Sequence, residues 1–478
     1  MIFSVPAILN MFGFFSKKTV KQPKTDNQND FGYDAVEGSR ANREHWFGMD
    51  MLSPDKRNNP LSRAILRSMA RYEYDNNPWL NGLVNQIAED VIGTGARLQI
   101  ENNTDRFTVE VETAFAEWAA EVNLTEVLQN MKKAASRDGE AFIMLTNREE
   151  NETPCKLFPL LFLSERVCTP INKNVTDNYN IDGVIIDKFG VPLSYQIAEE
   201  NPNDSAVQAW QEVSAKYIVH FFQSNYPEQH RGIPEFASCL NDIALLRRYT
   251  KATLDKMENS SNISGVLTPK DSLEAQIEEI EPVENFKKFT LPSRSFVTLP
   301  LGYELKQYEL GNPNDSQQQF ALNVKIDCAR CMLATRNVVT GDSSNYNYAS
   351  GRLDFQSYFR AIQSIRHKIE KNVLDKIFLQ WFREFKKNQS WKMPTHVWYW
   401  DGFSHVDPVK ESRSETLDMQ NGTRTIVDVC AEHGRDWKVQ IENKLQAEKF
   451  ERERRQALGL PQIEDKPEQI STGTGGDE

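Results

Sequence analysis

Residues Val338–Arg352 read VVTGDSSNYNYASGR, a run with almost nothing that a hydrophobic core would accept, set between two long stretches of helical pattern. Gly341 and Asp342 are turn formers. The side chains of Ser343, Ser344, Asn345 and Asn347 can bond their own backbone, and Gly351 can take a positive φ. Tyr346 and Tyr348 alternate along the run. The pattern predicts a polar hairpin that carries two aromatics and joins two helices, and such loops on rigid scaffolds are where function concentrates.

Outward from this loop the hydrophobic period is helical on both sides. On the C-terminal side, Phe355, Phe359, Ile362, Ile365, Ile369, Val373, Ile377 and Trp381 form a near-continuous stripe, predicting the longest helix of the chain over about Leu353–Lys387. On the N-terminal side, Ser316–Arg336 reads as a helix with Phe320, Val324, Ile326, Cys331 and Leu333 among its apolar positions. Residues 263–313 lose the helical period. There GVLTP, KFTLP, SFVTLP and YELKQYEL are strand-like, and Leu273–Val283 is an acidic helical insert bearing Glu274, Glu278, Glu279 and Glu281. Before that excursion the chain is helical from Pro234 to about Met257, with Leu240, Ile243, Leu246 and Tyr249 on one face and Arg247, Arg248 and Lys251 on another. At about 1.5 Å per residue such a helix runs roughly 35 Å, the length of a strut.

The first half of the chain reads as α+β. Residues 18–58 are polar, with KKTVKQPKTDNQND composed like a disordered arm. Leu61–Tyr74 is helical in pattern, and Asn77-Pro78 punctuates it before a second helix with Leu80, Leu83, Val84, Ile87 and Val91 on one stripe. Gly93-Thr94-Gly95 follows a helix and precedes a strand, the reverse of the order a phosphate loop needs, so it reads as a C-cap. Phe107, Val111, Phe115, Trp118 and Val122 mark a third helix and Leu124–Arg137 a fourth, closed by Asp138-Gly139 and followed by the strand AFIMLTN. Ile181–Ile197 reads as two strands turned by Asp187-Lys188-Phe189-Gly190, and Tyr217–Phe222 as another. In QHRGIPEF, Gly232 and Pro234 bracket a sharp change of direction. After the long helix come the aromatic strand end WYWDGF, a helix start at Asp407-Pro408, a charged helical stretch Thr423–Leu458, and a tail from Pro461 that is disordered by composition.

The chain has 478 residues, 26% charged and 39% hydrophobic, which is the composition of a soluble protein of several domains. No run approaches a membrane span. The opening MIFSVPAILNMFGFF is short, and Lys17 and Lys18 follow its apolar residues where a secretory signal would have them first; Met11 is an alternative start. Six scattered cysteines have no disulfide rhythm, which fits a reducing compartment. Cys328-Ala-Arg-Cys331 spells CxxC without a second pair for zinc or a βαβ setting, and is expected to be two buried helical thiols. A net charge of −12 opposes a tight, nonspecific grip on nucleic acid without excluding a wall that DNA slides past.

Gly341-Asp342-Ser343-Ser344 is similar to the nucleophile block of GDS-type lipases and esterases, and Ser343 is the alternative hydrolase reading. In that family the block follows an early strand and is answered by a late Asp-x-x-His. Here it lies deep in the chain, and none of the seven histidines stands in a partner motif. His220 with His230, and His396 with His405, are not at metal-ligand spacing, and the acidic insert reads as a solvated helix face. No catalytic residue, metal or cofactor is expected.

Several blocks carry a resemblance in a fixed order: NPWLNGLVNQIAEDVIGTG, IDGVIIDKFGVPLSYQI, QHRGIPEF before a long helix, VVTGDSSNYNYASGR, and VDPVKE followed by NGTRTIVDVCAEHGRDW. In these the chain resembles a phage portal protein of the lambda type, the head-to-tail connector of tailed phages, from about Arg63 to Leu460. That family commonly shows RG(I/V)P and a TGD-S-x-x-NYSS-x-R run, matched by Arg231–Pro234 and Thr340–Arg352. Ala349 stands where serine is frequent, and Gly351 where alanine is.

The resemblance implies an α+β portal fold: a flexible arm (1–58), a wing (59–234), a stem helix (235–262), a small αβ clip (263–315), a second stem helix (316–337), a tunnel loop (338–352), a long helix (353–387), a wing return and mostly helical crown (388–460), and a disordered tail (461–478). It implies a non-enzymatic ring, usually of twelve subunits, at one vertex of a virion capsid assembled in the bacterial cytoplasm. Double-stranded DNA passes through that ring without sequence reading. The implied partners are the terminase large subunit, major capsid and scaffold proteins, and head-tail completion proteins. Thr340, Ser343, Ser344, Asn345, Tyr346, Asn347 and Tyr348 are then the tunnel loop, whose tyrosines meet either DNA phosphates or the neighbouring subunit's loop. Asp342 and Arg352 become loop-anchoring or intersubunit groups, Arg231, Gly232 and Pro234 a structural turn, and Glu274, Glu278, Glu279 and Glu281 a partner-facing clip surface. An acidic channel that repels phosphate lets DNA slide, where a basic wall would hold it at each step.

Overall fold

The computed structural model describes residues 44–100, 106–170, 179–200, 209–262, 266–269, 303–306, 315–342, 347–386, 393–402, 408–432, 435 and 437–460. The chain divides into two compact units, Met1–Ser53 and Pro54–Glu478. In the first, Trp46, Phe47, Met49, Met51 and Leu52 are exposed. The second begins earlier than residue 59, where the sequence pattern placed the end of the arm. Pro54–Arg57 is a helical turn, His230 donates its backbone N–H to Asp55 at 3.0 Å, and Asn58 donates to the Arg231 carbonyl at 3.1 Å.

Helix α1 (Pro60–Asn76) is capped by Asn59, whose side chain accepts from Ser62 N at 2.9 Å. Helix α2 (Pro78–Ile92) buries Leu80, Leu83, Val84, Ile87 and Val91 on one face. It ends at Gly93, with φ 57°. A Cβ there would lie 2.7 Å from Asp401 Oδ2, the atom that accepts from Thr94 N, so glycine is required on two counts. Strand β1 (Arg97–Ile100) leads to α3 (Arg106–Glu121) and α4 (Leu124–Asp138).

Strands β2 (Glu140–Asn147) and β3 (Leu157–Phe162) precede a hairpin sheet of β4 (Asn180–Ile181), β5 (Val184–Ile186), β6 (Pro192–Ala198) and β7 (Trp210–Ser214), and then β8 (Ile218–Phe222). The first sheet has the order β3-β2-β8 and the second β4-β5-β6-β7, all antiparallel. Between the sheets lies a small core of Phe142, Val167, Val184, Tyr195, Ile197 and Ile218.

Helix α5 (Leu240–Asn262) is the strut, entered through a 3-10 turn at Ala237–Cys239 instead of starting at Pro234, because Pro234 and the Phe236 turn delay the regular hydrogen bonding. Of the excursion, β9 (Val266–Pro269) and β10 (Tyr303–Lys306) are described and pair antiparallel. Helix α6 (Asp315–Ala329) stops earlier than the expected Arg336 or Asn337. A 3-10 turn at Arg330–Met332 follows, Leu333 takes φ 59°, and a separate short helix α7 (Arg336–Thr340) begins.

Helix α8 (Tyr348–Ile369) and α9 (Asp375–Phe385) run on through a π-helical turn at Glu370–Leu374. The apolar spacing explains the interruption. Ile365, Ile369, Val373, Ile377 and Trp381 recur every four residues, and each step of four drifts about 40° from an ideal helix stripe. A wider π turn takes up part of that drift, and all but Ile365 are then fully buried. After α9, strand β11 (His396–Tyr399) returns to pair antiparallel with β1. Phe115, Trp118, Phe378, Trp381 and Trp398 interlock there, with Phe115 edge-on to Trp381 at 5.1 Å. Helices α10 (Pro408–Gln420), α11 (Ile426–Glu432) and α12 (Trp437–Ala457) complete the described chain, and α12 buries none of its residues. The architecture is mixed helix and antiparallel sheet, the expected α+β class.

Candidate functional site

Two helix ends define the connecting loop. α7 closes at Gly341, which takes φ 63° while the Thr340 hydroxyl accepts from Asp342 N at 3.1 Å. α8 opens at Asn347, whose side chain accepts from Ser350 N at 2.8 Å while Ser350 Oγ accepts from Asn347 N at 3.1 Å. That reciprocal pair is a capping box. The open connection is therefore Gly341–Asn347, shorter than the fifteen-residue hairpin that Val338–Arg352 predicts. Asn347 and Ser350 spend their polar groups starting a helix, and Gly351 lies inside its first turn, where its N–H donates to Asn347 O at 3.0 Å.

Of the predicted loop residues, Thr340 ends α7, Tyr348 is the first residue of α8, and Ser343, Ser344, Asn345 and Tyr346 lie outside the described residues. Arg352, expected as a loop-anchoring or intersubunit group, is exposed on α8. Glu274, Glu278, Glu279 and Glu281 also lie outside the described residues.

Trp79, Leu322, Lys325, Arg336, Val339, Thr340 and Asp342 line a cleft of about 290 Å³ at the base of the loop. The Trp79 indole donates to Val339 O at 3.1 Å, which pins α7 to the start of α2. Lys325 and Arg336 are thus brought to one opening beside Asp342. Each looks in the sequence like an ordinary solvated helix position, and only the break between α6 and α7 brings them together.

A second constellation lies beneath the turn Arg231–Pro234. Glu140, with 0% of its surface exposed, receives Arg231 Nη2 at 2.6 Å and Nε at 2.9 Å, and the Gly232 N–H at 2.9 Å. Arg67 donates to the same carboxylate at 3.3 Å, Arg63 lies at 3.9 Å, and His220 Nε2 at 3.2 Å. Since Nε2 faces a carboxylate it carries the proton, and Nδ1 accepts from the Tyr195 hydroxyl at 3.4 Å. Asp182 completes the group by pairing with both Arg63 and Arg231. The guanidinium of Arg231 and its neighbours hold the Glu140 carboxyl well below its usual range in spite of burial. Burial holds His220 below its ordinary value, and burial together with the nearby Arg231 lowers Arg63 to about 10.

Backbones meet here as well. A Cβ on Gly232 would lie 2.0 Å from the Gly139 carbonyl oxygen. Gly232→Ala is therefore expected to destabilise the fold by about 2–3 kcal/mol, through backbone displacement and the weakened bond to Glu140, measured as a shift in urea midpoint at constant slope. Pro234 stands beside Glu235, whose carboxylate accepts from Lys132 at 2.7 Å and from Ser136 at 2.9 Å. Arg231, Gly232 and Pro234 thus lie between β8 and the 3-10 turn into α5.

His220, His230, His367 and His396 are paired with Glu140, Asp55, Glu370 and Asp375. No helix among the described residues is long and apolar enough to cross a membrane.

The model of the family described as phage portal protein, lambda family, matches residues 41–366. A probable portal protein of Halomonas phage phiHAP-1 is 23% identical over 331 residues, 63% of this chain and 61% of that one. The chain thus spans about three-fifths of the length of that relative. Among solved structures, the neck of an empty gene transfer agent particle with C6 symmetry is similar with a TM-score of 0.48 and 14% identity, over 83% of this chain and 94% of that one. The HK97 family phage portal protein of Corynebacterium diphtheriae gives a TM-score of 0.29 and 10% identity, over 60% and 85% of the two chains.

Proposed function

The chain belongs to the lambda family of phage portal proteins, and on that premise we propose that it is a structural subunit of a ring at one capsid vertex. The carrying observation is the family match over residues 41–366, which runs from the wing through the turn, both struts and the loop into α8. In this reading the ring is the conduit for DNA packaging and ejection, and its role is mechanical. Residues 54–234 are the wing, α5 and α6 the stem, and the segment that includes the β9–β10 pair is the clip. Gly341–Asn347 is the tunnel loop, and α8 with α9 the long helix behind it. β11, α10, α11 and α12 return to the wing and form the crown. The clip meets terminase and later the head-tail completion proteins, and the outer ring meets capsid and scaffold proteins.

Physical chemistry supports the loop's role. A left-handed glycine at Gly341 closes α7 and a capping box at Asn347 opens α8, so both helix ends that flank the connection are capped. Lys325 and Arg336 at its base supply a local positive charge in a chain whose net charge is −12. A few cationic and hydroxyl contacts to phosphate position DNA without reading bases, and the acidic remainder keeps it sliding.

Purified protein examined by negative-stain microscopy and sedimentation velocity is expected to form closed rings with a central channel. A monomer that gives no larger species at any concentration or salt would overturn the proposal. Replacing Tyr346 and Tyr348 together with alanine is expected to leave rings intact and lower packaged or retained DNA by about tenfold, in line with one or two lost contacts. Loss of rings in that variant would make the loop an intersubunit element.

A further inference from the structure

Three thiols meet where the strut begins and the second stem helix ends. Cys239 closes the 3-10 turn into α5, Cys328 lies in the last turn of α6, and Cys331 sits in the 3-10 turn behind it. The expectation of two buried helical thiols at Cys328 and Cys331 is thus only half met: Cys331 has left the helix and is partly open to solvent. The Sγ atoms of Cys239 and Cys331 are 3.7 Å apart. Both thiols also point at one acceptor, the Cys328 carbonyl oxygen, at 3.5 Å from Cys239 and 2.7 Å from Cys331.

We propose that Cys239 and Cys331 close to a disulfide when the protein passes from a reducing to an oxidising medium, locking the start of α5 to the turn that ends α6. The inference rests on the portal reading for its occasion: a virion subunit folds in a reducing cytoplasm and then persists outside the cell. The chemistry itself depends only on the two side chains. Bringing the sulfurs from 3.7 Å to a bond of about 2.05 Å asks for a small movement of one short turn. That turn is not held in a regular helix, since Leu333 directly after it takes φ 59°.

The roles of the two sulfurs differ. Cys331 is partly open to solvent and Cys239 is buried, so Cys331 meets an oxidant first. With a peroxide as two-electron oxidant, the Cys331 thiolate attacks one peroxide oxygen and the O–O bond breaks. Hydroxide leaves and is protonated to water, giving a sulfenic acid at Cys331. The Cys239 sulfur then attacks the Cys331 sulfur, the S–O bond breaks, and the departing hydroxide takes the Cys239 proton as a second water. Two electrons pass from the two sulfurs to the peroxide. Cys328, buried in α6, supplies a carbonyl to both partners and keeps its thiol.

The bond would close a loop of roughly 90 residues containing both struts and the whole excursion between them, the kind of long loop for which a cross-link restricts the unfolded chain most. It would stiffen the stem in the released particle without affecting assembly in the cell.

The test treats the purified full-length protein with hydrogen peroxide or with dithiothreitol, followed by intact mass and a non-reducing peptide map. The expected result is a loss of about 2 Da on oxidation, reversed by dithiothreitol, with the peptides of Cys239 and Cys331 linked. Cys239→Ser and Cys331→Ser each abolish the link, whereas Cys328→Ser keeps it. Equal thermal midpoints of all forms under reduction certify folding, and the oxidised parent melts higher than the reduced one. A map that links Cys328, or that shows Cys331 oxidised further with Cys239 still free, overturns the proposal. The link is scored on the covalent chain and rings are scored by microscopy, so failure of either reading leaves the other to be judged on its own result.

Discussion

Glu140→Gln is expected to lower the stability of the fold by about 3–5 kcal/mol, read from urea unfolding, although the substitution changes neither volume nor shape. The carboxylate is completely buried and is the common acceptor for Arg231, Arg67, Gly232 N–H and His220, with Arg63 close by. Removing its charge leaves Asp182 as the main counter-charge for Arg63 and Arg231, and buried guanidinium groups without a carboxylate bear the full cost of desolvation. Arg231→Met on the Glu140→Gln background is expected to recover part of the loss, because the pair is then removed together. Full stability in Glu140→Gln alone would mean that water reaches the cluster.

The same cluster sets a pH dependence. Glu140 titrates below its unfolded value, so its contribution is present above the unfolded carboxyl pKa and is lost as pH falls through the folded one. His220 titrates below 6.5 when folded, so the unfolded chain takes up its proton first and stability falls as pH drops under that value. Both effects have one sign. The fold around this cluster is expected to become labile to acid from about pH 6 downward, with Glu140→Gln removing the lower part of that loss.

How much of this was legible in the sequence depends on the kind of signal. Helices with a mixed apolar and polar face, such as α2 and α4, and the hairpin turned at Asp187–Gly190 follow directly from periodicity and turn chemistry. Composition locates the loop but not its C-terminal end, because Asn347 and Ser350 are as common in turns as in a helix cap and only their spacing of three separates the two uses. Glu140 was not legible at all. Its partner Arg231 is 91 residues away, and an isolated charge in sequence defaults to a solvated face. The fit between the RGIP turn and a buried carboxylate needs both the close approach of Gly139 to Gly232 and the folded sheet, neither of which leaves a local pattern.

Helix α1 reverses the usual orientation of an amphipathic helix, and the reversal leads to the second large effect. Its buried residues are Arg63, Arg67, Ala70 and Glu73, held by the Glu140 cluster and by Arg247, which donates to Glu73 at 2.9 Å. Its outward face carries Leu61 at 70% exposure, Ile65 at 46%, Met69 at 50% and Tyr72 at 54%, with Ala64 and Ser68 between them and no charge over three turns. Charge pairing inside fixes which side faces out, so the apolar stripe cannot rotate inward, and an uncharged helix face of this kind marks a protein contact. In a ring each subunit presents such a face to a second copy of itself. Ile65→Asp with Met69→Asp is therefore expected to lower the monomer's stability by no more than about 1 kcal/mol, because about half of each side chain is already exposed. The same pair weakens subunit association by at least about thirtyfold, equivalent to a contact of 2 kcal/mol, and shifts sedimentation from rings to monomer at micromolar concentration. Intact rings with unchanged concentration dependence would show that the α1 face lies on the outside of the assembly, and would assign the subunit contact to other surfaces of the chain.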